Sequence, residues 1–226
     1  MKIYLDSADV ASWSLPAGCP PAVGVTTNPS LVHQAGLPVT LATYLRLVQA
    51  ASGQGLAELM LQLPHADVAQ TPLWLHPLRD AAFKAGLCLT IKLPCHPDWL
   101  PVIRAVQETG QAVLLTGLSS PVQLLWAQSL KAAYVAPYIG RLTADGRDVW
   151  SLMQACVAVQ NSAPVAGPAL LAASIKSPDV LARLIGIGAA AATLPPASLI
   201  AWSGDVLTQA AMDQFDRDTL ASQTKI

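Results

Sequence analysis

The stretch "AGLCLTIKLPCH", residues 85–96, sets one lysine, Lys92, in a run that otherwise reads as a buried β-strand. Alternation over "LCLTIKLP" places Leu87, Leu89, Ile91 and Leu93 on one face and Cys88, Thr90 and Lys92 on the other. The first face is large and aliphatic, as contact with helices requires. The second carries an ammonium group, which costs free energy in an interior unless it is paired or functional.

Seven further runs have the same character: "KIYLD" (2–6), "AVGVTTN" (22–28), "LAELM" (56–60), "AVLLTGL" (112–118), "AYVAPYIG" (133–140), "ALLAAS" (169–174) and "AATLP" (191–195). Segments with helical signals alternate with them, such as "SSPVQLLWAQSLKA", where a serine precedes a proline suited to a first helical turn. Eight strands, seven intervening helices and a last helix at about 205–222 fit an α/β fold, a closed (β/α)8 TIM barrel with an additional C-terminal helix, occupying residues 1–226 as a single domain. An open doubly wound sheet is the competing arrangement, but no GxGxxG or GxxxxGK[ST] follows a strand.

Composition narrows the function. Charged residues make up 12% of the chain against 53% hydrophobic, and the net charge is -1. No basic stripe is present to neutralise a duplex, so nucleic acid is not an expected partner. So little charge leaves little to cover a monomer's exterior, and a homo-oligomer is expected. The first residues, "MKIYLDSADV", have no secretory pattern, and the uncharged stretch 184–204 is broken by Pro195 and Pro196, so a cytoplasmic protein with no membrane span is expected. The four cysteines form no CxxC pair and no metal-like spacing with the four histidines; neither a metal nor another cofactor is expected.

In a barrel of this kind the catalytic end is the C-terminal end of the strands. Alternation then sends Lys92, Asp6 and Glu58 inward, with Gly24, Thr26 and Asn28 together on the second strand. Thr116, Tyr138 and Ser174 fall at later strand ends, and Arg141 and Lys176 lie just beyond the sixth and seventh. Lys92 either forms a structural ion pair with Asp6 or Glu58 or acts in catalysis. An amine walled by apolar groups has its charged form disfavoured and becomes a nucleophile for a ketone. The resulting iminium accepts the electrons of an adjacent carbon–carbon bond. Asp6 is the candidate base for the hydroxyl of the cleaved bond, and Glu58 with Thr116, through a water, the candidate proton carrier. Tyr138 either joins that relay or fills the barrel mouth, and Arg141, Ser174 and Lys176 suit a phosphate group.

The motifs "LDSAD" (5–9), "GVTTNPSL" (24–31), "IKLP" (91–94), "YVAPYIGRL" (134–142), "LAASIKS" (171–177) and "TLPP" (193–196) closely resemble those of the short transaldolases and fructose 6-phosphate aldolases. The resemblance implies a (β/α)8 barrel with Lys92 as the Schiff-base lysine and Asp6 as acid/base at the C4 hydroxyl. It implies Thr26 and Asn28 as ligands of the dihydroxyacetone moiety, Glu58 and Thr116 at a catalytic water, and Arg141, Ser174 and Lys176 at the phosphate. Sugar phosphates and dihydroxyacetone are the implied substrates, and a pentamer or decamer with the C-terminal helix reaching a neighbour the implied assembly. Transaldolases carry Glu at the position of Glu58 and usually Phe at that of Tyr138, whereas the aldolases carry Gln and Tyr, so the chain holds one marker of each. Leu114 stands where transaldolases tend to have Asn, and Thr219 where many relatives have Trp. A catalytically decayed barrel that binds sugar phosphates is the alternative outside enzymes.

Overall fold

The computed structural model describes residues 1–162 and 167–223. The span 1–226 expected for one domain also includes residues 163–166 and 224–226, which lie outside the described residues. Eight strands form a closed, all-parallel barrel in sequence order: β1 (Lys2–Asp6), β2 (Gly24–Thr26), β3 (Glu58–Gln62), β4 (Cys88–Pro94), β5 (Val113–Leu118), β6 (Tyr134–Pro137), β7 (Ala169–Ala172) and β8 (Ala191–Leu194). Between β2 and β3 lie α1 (Pro29–Gln34) and α2 (Leu41–Gly53); α3 (Thr71–Lys84), α4 (Leu100–Glu108) and α5 (Pro121–Ser129) follow β3, β4 and β5. Two helices, α6 (Ile139–Ala144) and α7 (Val149–Gln160), join β6 to β7, and α8 (Pro178–Ile187) joins β7 to β8. The chain continues through α9 (Pro196–Ser203) and α10 (Val206–Gln223).

Three departures from the simple alternation have local causes. Only a 3-10 turn, Val10–Trp13, separates β1 from β2, because Pro16, Pro20 and Pro21 leave no room for a helix, and Trp13 is buried there instead. The run "AYVAPYIG" stops being a strand at Pro137, and Ile139 opens α6. The third strand begins two residues later than expected. Gly55, with φ of 71°, reverses the chain after α2, and the Leu56 amide donates to the Ala51 carbonyl to close the helix end, so Leu56 and Ala57 belong to the turn.

Burial follows the pleat. Leu5, Val25, Leu59, Leu61, Ile91, Leu93, Leu115 and Leu194 face the helices in one continuous core. Inside the barrel Tyr4, Met60, Leu114, Ala136, Leu171 and Ala191 form a separate apolar layer. That layer seals the barrel below its catalytic end.

Helix α10 buries no residue and exposes Val206, Leu207, Met212, Phe215 and Leu220. No helix among the described residues is long and apolar enough to cross a membrane.

Candidate active site

Lys92 sits one layer above the apolar plug. By strand register it lies between Gln62 of β3 and Leu114 of β5, and it is 5% exposed. The ion pairs among the described residues are Lys2–Glu58, His96–Asp98 and Arg147–Asp145, so Lys92 has no closed pair. Burial holds its ammonium well below the ordinary lysine range, and the negative charge of Asp6 opposes that shift without cancelling it. A purely structural ion pair therefore does not account for Lys92. Burial thus disfavours the charged form of an amine that stands within electrostatic reach of Asp6.

Asp6 ends β1, and its Oδ1 accepts from the Thr26 hydroxyl at 2.9 Å; Thr26 Oγ1 lies 2.7 Å from Thr193 Oγ1 of β8. Thr26 is fully buried, and its hydroxyl is bonded to the Asp6 carboxylate rather than lining the cleft. Asn28 caps α1 by accepting from the Leu31 amide at 3.0 Å, which fixes its side chain and leaves its NH2 group for the cleft it lines.

On the opposite wall Thr116 Oγ1 and the Tyr138 hydroxyl are 2.5 Å apart, and the Arg141 guanidinium stacks 4.7 Å from the Tyr138 ring centroid. The Gly140 amide donates to the Ser174 carbonyl at 3.0 Å. A β-carbon at Gly140 would stand 2.8 Å from Ser174 Oγ and 3.2 Å from Lys176 Cε, so glycine is what lets these two chain segments close on each other. Asp6, Asn28, Gln62, Tyr138, Arg141, Ser174 and Lys176 all line one cleft of about 750 Å³.

Glu58 does not join them. It starts β3 at the opposite end of the barrel, four residues before Gln62, which is the register partner of Lys92. Its carboxylate accepts from Lys2 Nζ and from the Tyr4 hydroxyl, each at 2.5 Å. These bonds close the floor of the barrel. Replacing Glu58 with Gln is accordingly expected to leave kcat within about twofold and to lower the melting temperature by about 2–4 °C. Steady-state assays and thermal denaturation check both.

Gln62 lies beyond the end of the third strand expected at 56–60, whereas Thr193 lies inside the expected eighth strand but is not singled out there. The signal for Gln62 is present: Glu58, Met60 and Gln62 share a face, and the next breaker is Pro64 rather than a residue after Met60. Thr193 is the one polar residue on the inward face of "AATL".

The Transaldolase/Fructose-6-phosphate aldolase family profile matches residues 85–226. A probable transaldolase of Rhodospirillum centenum is 30% identical over 220 residues, covering 96% of this chain and 90% of the relative. Another, from Parvibaculum lavamentivorans, is 28% identical over the full length of both. Among solved structures, a flavocytochrome b2 variant with sulfite bound has a TM-score of 0.55 at 12% identity, covering 90% of this chain and 59% of that one. A designed cube-shaped protein cage has 0.51 at 15% identity, covering 99% and 78%. These two likenesses concern the fold alone. Sequence similarity over nearly the whole length, together with a match of most of the chain to the family profile, assigns the protein to the transaldolase/fructose-6-phosphate aldolase family of enzymes.

Proposed function

We propose that this enzyme cleaves and forms ketose phosphates through a Schiff base on Lys92, with fructose 6-phosphate aldolase-type release of dihydroxyacetone. The observation that carries it is the buried, unpaired Lys92 facing Asp6. The neutral amine attacks the C2 carbonyl, and the carbonyl oxygen leaves as water. The iminium draws the electron pair of the C3–C4 bond while Asp6 takes the C4 hydroxyl proton, so an aldehyde phosphate departs and an enamine remains. Arg141, Ser174 and Lys176 hold the phosphate, and Asn28 the dihydroxyacetone hydroxyls. No cofactor enters the scheme.

The fate of the enamine rests on the wall of the cleft. The residue that register puts beside Lys92 is Gln62, not Glu58, and the hydroxyl bonded to Thr116 is that of Tyr138. Glutamine and tyrosine are both the aldolase-type choices, and they suit protonation of the enamine and release of free dihydroxyacetone. The apolar Leu114 beside Lys92, in place of a carbohydrate ligand, favours the same outcome. Transfer to erythrose 4-phosphate is the second reading, favoured by the probable transaldolase function given to the relatives. Fructose 6-phosphate cleavage with and without erythrose 4-phosphate separates them. Free dihydroxyacetone at a similar rate in both supports the aldolase; a trace of it beside rapid consumption of the acceptor supports the transferase.

The apolar side chains of α10 fit a second copy of the chain. Because α10 buries nothing in its own barrel, removal of residues 205–226 is expected to reduce the assembly to smaller species while the barrel still folds. Light scattering reads the mass and circular dichroism the fold; an unchanged mass counts against this assignment.

A further inference from the structure

We propose that Thr193, on the last strand, is a positioning residue that fixes the proton of Thr26 on Asp6 and thereby keeps Asp6 ready to accept a proton from the substrate. The inference rests on the acid/base role proposed for Asp6. It follows from counting protons along three side chains. An ionised Asp6 only accepts, so the single hydroxyl proton of Thr26 is committed to Oδ1 at 2.9 Å. At the 2.7 Å contact Thr26 must then accept, and Thr193 must donate. Thr193 is 2% exposed, and the described residues offer its hydroxyl no other hydrogen-bond partner. The reverse orientation would leave its proton buried without an acceptor, which is unfavourable.

The three groups thus have one fully satisfied arrangement, Thr193 to Thr26 to carboxylate, and it fixes the donor that meets Oδ1. It engages Oδ1, and the structure gives the other oxygen of Asp6, which lines the cleft, no hydrogen-bond partner among the described residues. The ionisable groups around this chain are Lys92 of β4, whose charge acts on Asp6, Asp9 beyond β1, Tyr138 and Arg141 beyond β6, and Lys176 beyond β7. From β2, β3 and β8 the groups that line or underlie the cleft are Thr26, Gln62 and Thr193, all uncharged. No charge on β8 substitutes for the hydroxyl.

The test compares Thr193→Val, Thr193→Ala and Thr193→Ser in the full chain. Val keeps the shape and removes the donor, and kcat for fructose 6-phosphate cleavage is expected to fall about tenfold. The acid limb of the kcat profile is expected to move upward, because the Thr26 proton is no longer committed to Oδ1. Ala should reproduce both changes, which separates the lost donor from a fault of fit in Val. Ser, which keeps the donor, should restore kcat to within about twofold of the parent. Borohydride trapping of dihydroxyacetone at Lys92 should stay at the parent's level throughout. Unchanged kcat and acid limb in Val and Ala, or equal impairment of Ser and Val, overturns the proposal. A parent that is not trapped at Lys92 overturns the Schiff-base reading and this one together, whereas normal trapping with an unimpaired Val variant overturns this one alone.

Discussion

Replacing Lys92 with methionine is expected to abolish turnover and to make the protein more heat-stable. The two effects share a cause. Among the described residues Nζ of Lys92 is the one buried lysine nitrogen, so no other buried amine there can form the iminium, and kcat/KM should fall by at least about 10³-fold. The same nitrogen is a liability to the fold, since it is 5% exposed and lacks an ion-pair or hydrogen-bond partner among the described residues. A methionine of similar length removes that penalty and extends the apolar layer through Leu114. A gain of about 2 kcal/mol at neutral pH is expected, or about 4–8 °C in melting temperature.

The sign of the pH dependence follows from the direction of the shift. The Lys92 pKa in the folded protein lies below its ordinary value of 10.5, so between those two points the unfolded chain binds more protons than the folded one. Stability conferred by deprotonation is therefore absent below the lowered pKa and accumulates as pH rises toward 10.5. The advantage of Lys92→Met should be largest at neutral pH or below and shrink in alkali. Calorimetry at several pH values checks it. A variant less stable than the parent at pH 7 would mean that Lys92 is held by interactions strong enough to offset its burial.

How much of this was legible beforehand depended on which physical signal each residue obeys. Lys92 was readable because the alternation of "LCLTIKLP" is unbroken and every large aliphatic residue falls on one face. Asp6 was readable for the same reason. Glu58 was misplaced because its face is right but its height is not. Alternation fixes inward or outward, whereas position along the barrel depends on where pairing starts, and that was set by the left-handed Gly55 and the closing turn of α2. An error of two residues keeps the face and moves the side chain from the middle of the expected strand to the first position of a strand of five. The link between Thr26 and Thr193 spans 167 residues, and no local period reports it. The alignment of Arg141, in α6, with Ser174 and Lys176 was legible only as residues beyond two strand ends, since their approach depends on the closeness of Gly140 to Ser174.

Asp6→Asn is expected to separate the two halves of the chemistry. The amide keeps the size of the side chain and can still accept from Thr26, so the cleft should retain its shape. It cannot take up a proton at the potential a carboxylate does, and cleavage of fructose 6-phosphate should fall by about 10²–10³-fold. Imine formation with dihydroxyacetone breaks no carbon–carbon bond and should persist. It should even become easier in mild acid: the charge of Asp6 is what raises the Lys92 pKa against burial, so removing it drops that pKa further and leaves more free amine at a given pH. Trapping by borohydride near pH 6, followed by mass spectrometry of the peptide that contains Lys92, should therefore proceed at least as fast in the variant as in the parent. Loss of trapping together with cleavage would show that Asp6 serves to bind or orient the ketone, and the hydroxyl's proton would then need another acceptor, for which Tyr138, paired to Thr116 and lining the same cleft, is a candidate.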